Sequence, residues 1–168
     1  MKSFRYGIIA LALLSLSGCG FQPLYGDHSL STSAAVRESL NQIEISNIPD
    51  RSGQYLKNAL MDRLYSAGRP AAGARYRLTI SPVGENRREL DITKTSDSTR
   101  AQLSLSTVMV LADAEGQELL SRRLNATTSY NILDSQFTTR VAEDSARRQA
   151  LDDLARQIES HILLYFNR

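Results

Sequence analysis

The amino-acid sequence predicts a two-layer α+β domain of order β-α-β-β-β-α, two helices packed on one face of a four-stranded mixed sheet. Three observations lead there. Four separate stretches alternate apolar and polar residues, the period of half-buried strands. Two other stretches, one central and one near the carboxyl end, repeat apolar residues at helical spacing. Between the last two strand-like stretches, Asp113-Ala114-Glu115-Gly116-Gln117 is short, polar and contains a glycine, as a hairpin connection requires.

The elements follow in chain order, after a targeting segment. Lys2 and Arg5 precede the apolar run Tyr6–Leu16. That run falls well short of the roughly 20 residues a membrane-spanning helix needs. A cationic start, a short apolar core and small residues at its end make a secretory signal. Leu16-Ser17-Gly18-Cys19 fits a lipobox, in which small residues give the processing enzyme close backbone access and the thiol accepts a diacylglycerol. Residues 1–18 are therefore expected to be a lipoprotein signal peptide, with Cys19 as the lipid-modified first residue of the mature chain. Cys19 is the only cysteine, so an intramolecular disulfide is impossible. Several acyl chains, at about 0.8 kcal/mol per buried methylene, would hold the chain to a membrane durably. Gly20, rather than Asp, follows the cysteine. Under the usual lipoprotein sorting rule this is an outer-membrane address, on the periplasmic side.

Residues 19–41 read as a flexible tether. Phe21-Gln22-Pro23-Leu24-Tyr25-Gly26 places a small apolar cluster among turn residues, and Ser29–Ser33 is poor in apolar side chains. A tether of this length reaches about 25–30 Å. The folded domain is expected over residues 42–168. Its first strand starts with Ile43 and Ile45 on one face and stops at Pro49-Asp50. A helix from about Ser52 to Ala67 follows, with Leu56, Leu60 and Leu64 on one stripe. Asp50 or Ser52 is available to cap it, and Gly68 and Pro70 end it. The next strand, Arg75–Val83, points Tyr76, Leu78 and Ile80 one way. Gly84–Arg88 reads as a turn. A long strand region runs from about Leu90 to Leu111, and the returning strand from about Glu118 to Ile132. The last helix, about Thr138 to Tyr165, carries an Ala/Leu/Ile stripe, with Asp134 or Ser135 as its cap. The first strand should pair in parallel with the second, and the last three strands should form an antiparallel meander. The second sheet face is rich in Ser, Thr, Asn, Gln and Arg, including Ser121, Arg123, Asn125, Thr127, Ser129 and Asn131. Burial therefore does not demand a third layer.

Charge narrows the function. The full chain has 20 Lys+Arg against 18 Asp+Glu, and removing Lys2 and Arg5 with the signal leaves 18 against 18. A neutral, exported chain without interleaved aromatic and basic residues is not a nucleic-acid binder. Its two histidines, His28 and His161, are remote from each other in sequence and have no cysteine partner besides Cys19, whereas a zinc site needs more ligands at tighter spacing. There is no nucleophile elbow and no phosphate-binding glycine loop. The expectation is a protein with no enzymatic activity, no metal and no cofactor. The polar chemistry that remains is basic. Arg87, Arg88 and Lys94 are candidate ligands for phosphate or carboxylate groups, because arginine forks bind oxyanions through paired hydrogen bonds. Arg75 and Arg77, on the polar face of the preceding strand, would join them if the strands brought all five to one sheet end. Ordinary solubilising surface is the competing reading.

At this point a resemblance enters. The lipobox followed by Cys19–Gly26, the run Asp50-Arg51-Ser52-Gly53-Gln54-Tyr55-Leu56 at the first helix, and Thr128-Ser129-Tyr130-Asn131 before the last one together resemble the lipopolysaccharide-assembly lipoprotein family LptE. The resemblance covers nearly the whole chain. It implies a non-enzymatic partner of the outer-membrane β-barrel LptD, lodged in the barrel as a plug. Such a partner assists barrel assembly and takes part in delivering lipopolysaccharide to the outer leaflet. An auxiliary lipoprotein of a lipid-transporting ABC system is the alternative.

Overall fold

A computed structural model of the protein describes residues 34–65, 73–90 and 100–167. Cys19, the signal segment, most of the expected tether and Lys94 lie outside the described residues. In chain order the elements are helix α1 (Ala34–Asn41), strand β1 (Ile43–Ile45), helix α2 (Asp50–Leu64), strands β2 (Tyr76–Ile80), β3 (Gly84–Glu89), β4 (Arg100–Asp113) and β5 (Glu118–Asn131), and helix α3 (Gln136–Phe166).

Alternation in β4 organises the sheet. Ala101, Leu103, Leu105, Thr107, Met109 and Leu111 are buried, while the residues between them are half-buried or exposed. The expected pairings form: β1 runs parallel to β2, with Ile45 opposite Leu78, and β2 and β5 each run antiparallel to β4. Helices cover the inner face. α2 contributes Leu56, Leu60 and Leu64, and α3 contributes Ala146, Ala150, Leu151, Leu154, Ala155, Ile158 and Ile162. Burying a leucine or isoleucine contributes about 1.5–3 kcal/mol each, so this interface supplies most of the driving force. The domain is thus mixed α+β, as expected, but with five strands and three helices among the described residues rather than four and two.

The extra strand is β3, and it corrects the reading of Gly84–Arg88 as a turn. β2 and β3 lie end to end along one edge of β4. Ile80 faces Met109 and Gly84 faces Ser106, so three residues on one strand oppose two on the other. That single extra residue is a β-bulge. Pro82 sits in it, where its missing N–H costs nothing to the ladder. Hydroxyls repair the break. The Ser81 N–H donates to the Val108 carbonyl at 2.9 Å. Ser81 Oγ accepts from the Val108 N–H at 2.9 Å, and Thr107 Oγ1 donates to the Ser81 carbonyl at 2.8 Å. The bulge also inverts parity. Leu78 and Ile80 face inward before it, whereas Glu85, Arg87 and Glu89 take the inward register after it.

The extra helix is α1. It occupies the end of the stretch expected to be tether, and its Val36 and Leu40, four apart, are buried against the core. The caps also differ in part. α3 starts at Ser135, whose side chain accepts from the Thr138 N–H, as one of the two expected caps. α2 starts after Pro49 and has no side-chain cap, so neither Asp50 nor Ser52 serves. Asp50 instead takes a left-handed φ of 70°. The chain turns there so that Ile48 tucks beneath Gly53, where an added Cβ would lie 2.6 Å from Ile48 Cγ2.

Candidate functional site

The outer sheet face is built by the same alternation that builds the core. Register places Asn86 and Arg88 beside Ser104 and Gln102, and these beside Thr127 and Ser129. Ser106 and Asn125 continue the row, with Val108 opposite Arg123 and Val110 opposite Ser121. Ser104 Oγ and Thr127 Oγ1 are 3.2 Å apart, sharing a hydrogen bond across the strands. Among the described residues, no helix packs on this face. It is a wet, hydroxyl- and amide-rich surface that can exchange hydrogen bonds with a polar wall.

The predicted basic residues do not gather. Consecutive strand residues point to opposite faces, so β3 separates Arg87 from Arg88. Arg88 lies on the outer face, exposed, and makes no ion pair among the described residues. Arg87 turns toward the helices, 3.7 Å from Glu143 and 3.7 Å from Glu89, with its guanidinium 5.7 Å above the Tyr130 ring. Arg77 stands at the other end of the sheet, paired with Glu44 at 3.6 Å, and Arg75 precedes it. Arg77 pairs with Ala112 and Arg88 with Gln102, so ten residues of β4 separate them. At about 3.3 Å per residue this is about 33 Å. The expected gathering of Arg75 and Arg77 with Arg87 and Arg88 therefore does not occur. Lys94 falls outside the described residues.

Inward register gives β3 a function that sequence reading missed. Arg147 of α3 donates through Nε and Nη2 to both oxygens of Glu85, at 2.9 Å each. The same guanidinium reaches Glu143 at 2.8 Å and Asp144 at 2.7 Å. A bidentate pair of this kind is directional as well as attractive. Hydrogen bonding from Arg147 holds the Glu85 carboxyl below its ordinary range, against the opposing effect of burial. Glu85 in turn holds the Arg147 guanidinium in its charged form still more firmly. Burial, then the Glu143 carboxylate, push the Tyr130 hydroxyl upward. The cluster Glu85–Arg147–Glu143–Arg87 thus clamps the outer strand end to α3. Its members are scattered in sequence, so no local motif could have announced it. Among the described residues no group of His, Cys, Asp and Glu could hold a metal ion.

With this geometry established, comparison with known proteins adds family and fold. A family model described as LptE, lipopolysaccharide-assembly, matches residues 40–162. No curated protein matches the chain. Among the solved structures that share its fold are three lipoproteins. A lipoprotein from Caulobacter crescentus CB15 is 24% identical with a TM-score of 0.62, covering 80% of this chain and 97% of that one. A minor lipoprotein from Acinetobacter baumannii is 25% identical with a TM-score of 0.57, covering 73% and 88%. A lipoprotein B from Nitrosomonas europaea is 18% identical with a TM-score of 0.54, covering 70% and 77%.

Proposed function

The chain belongs to the LptE family of lipopolysaccharide-assembly proteins, and we propose that it acts without catalysis as plug and assembly partner of the outer-membrane β-barrel LptD. The observation that carries this reading is the two-sided sheet. One face is closed by helices, while the other presents Ser104, Thr127, Gln102, Ser129 and Asn125 to solvent. The lumen of an outer-membrane barrel is polar and its outside apolar. A plug must therefore offer hydrogen-bonding groups over a broad surface, and this face does so.

Cys19, through its acyl chains, is the proposed anchor to the periplasmic side of the outer membrane, consistent with a lipoprotein family. For lipopolysaccharide phosphates, Arg88 and Lys94 are the proposed contacts, while Arg87, on the opposite face of the same strand, is held by Glu143 and Glu89. Arg88 is the outward cation of the pair and can meet a phosphate without first breaking an ion pair.

Photo-crosslinking tests the partner. A crosslinking residue at Thr127, on the full-length lipidated chain in native membranes, should capture a large β-barrel. Capture of an inner-membrane transporter with no barrel product would replace this reading with the auxiliary ABC lipoprotein. Changing Cys19→Ala should remove the acyl chains, read as loss of the lipid mass from the intact chain.

A further inference from the structure

A second polar concavity lies away from the outer face and shares Arg147 and Asp144 with the β3 clamp. It is a cleft of about 210 Å³ between the start of α2 and the middle of α3. Arg51, Ser52 and Tyr55 line it from α2, and Asp144, Arg147, Arg148 and Leu151 line it from α3. Both sets obey helical spacing, so each presents one face to the cleft. The α2 residues belong to the run Asp50–Leu56, which barrel plugging leaves without a role.

The three arginines are not equivalent. Arg147 is saturated by Glu85, Glu143 and Asp144, so it has no free fork for another anion and its charge is offset by these carboxylates. Arg51 and Arg148 are exposed and make no ion pair among the described residues. Two uncompensated guanidiniums bordering one small cavity suit a doubly charged oxyanion, because each fork can donate two hydrogen bonds to it. Ser52 adds a hydroxyl donor. The remaining lining is apolar in part. Leu151 is buried, and the Tyr55 ring is held by its hydroxyl, which donates to Asp152 Oδ1 at 3.2 Å. A bare inorganic ion would leave this wall unused.

We propose that the cleft binds a phosphate monoester, with the phosphate between Arg51 and Arg148 and the organic substituent against Tyr55 and Leu151. The volume is below the 300–1,000 Å³ typical of pockets for drug-sized ligands, so only the phosphate and the first part of its substituent are enclosed. The site is separate from the outer face, and its failure or success leaves the barrel-partner reading untouched.

The test uses the full-length chain in neutral detergent micelles, followed by nitrogen-15 amide shifts at low salt. Phenyl phosphate should saturate the shifts of Ser52 and Gly53, and should bind more tightly than inorganic phosphate or benzoate. Arg51→Gln and Arg148→Gln should each weaken it by about tenfold, the scale of one charge-assisted contact set. Both side chains are at the surface, so the fold should survive either change. Arg156→Gln, which removes an exposed arginine paired with Asp153 elsewhere on α3, should change nothing. Micelles doped with phosphatidate distinguish the source of the ester. Competition with phenyl phosphate identifies a lipid headgroup, and lack of competition identifies a soluble ester. Shifts that never saturate, or an equal loss in Arg156→Gln, would overturn the proposal in favour of general charge attraction.

Discussion

Gly53 occupies a helical position where alanine is ordinarily preferred by up to about 1 kcal/mol. Here an added methyl would meet Ile48 Cγ2 at 2.6 Å and the Ile48 carbonyl group at 3.0 Å. Ile48 is 2% exposed, so its side chain cannot swing into solvent. Overpacking of this kind costs about 1–3 kcal/mol and outweighs the propensity gain. Gly53→Ala should therefore lower the urea midpoint, and adding Ile48→Ala should recover part of the packing strain. An unchanged midpoint in the single variant would mean that Ile48 yields freely. Glu85 gives a prediction in pH. Its folded-state carboxyl lies below the ordinary value of 4.5, so near that pH the unfolded chain binds more protons than the folded one. The stabilisation is fully present above pH 4.5 and is lost as pH falls through the depressed folded value. Glu85→Gln should be less stable than the parent at pH 7, and urea titrations should show the gap closing toward pH 3. A gap that stays constant across that range would assign the effect to packing instead.

The bulge between β2 and β3 rests on one hydroxyl as much as on Pro82. Thr107 is 4% exposed, and its hydroxyl donates to the Ser81 carbonyl at 2.8 Å. Thr107→Val keeps the shape and slightly favours the strand, but it removes that donor. A buried carbonyl left unsatisfied costs about 1–3 kcal/mol, which exceeds the propensity gain. The variant should unfold at lower urea, with faster amide exchange at Val108. Equal stability would show that water replaces the hydroxyl. The same bulge explains what the residues disclosed in advance. β2, β4 and β5 were legible because burying one face demands an apolar residue at every second position, as at Leu78–Ile80 and Leu103–Leu111. β3 was not, because Glu85, Arg87 and Glu89 satisfy their inward positions with charges. The partner of Glu85 is Arg147, 62 residues away. α1 was hidden for a simpler reason, since Val36 and Leu40 alone do not make a stripe. The basic cluster failed in part on strand geometry. Two adjacent arginines read as neighbours in a turn, but a strand sends them to opposite faces.

At the scale of the molecule, the two sheet faces make opposite demands on substitution. Leu103 is fully buried under the helices, and Leu103→Ala should cost about 2–5 kcal/mol whatever the partner. Ser104 and Thr127, one position away on β4 and across on β5, face solvent and each other. Replacing both with arginine removes their shared hydrogen bond and sets two like charges directly across the strands, a cost of about 0.2–1 kcal/mol to an isolated domain. The barrel-plug reading predicts a different result in the membrane. Two long cations inserted between the outer face and a close-fitting lumen wall would have to displace its hydrogen bonds and side chains. Ser104→Arg with Thr127→Arg should therefore lower the urea midpoint only slightly while abolishing co-purification of the barrel. Leu103→Ala should lower the midpoint first, and lose the barrel only in proportion to the unfolded fraction. Barrel capture that survives the double arginine variant would move the contact off this face and onto the helices, where the clamp of Glu85 and Arg147 would then be the next surface to alter.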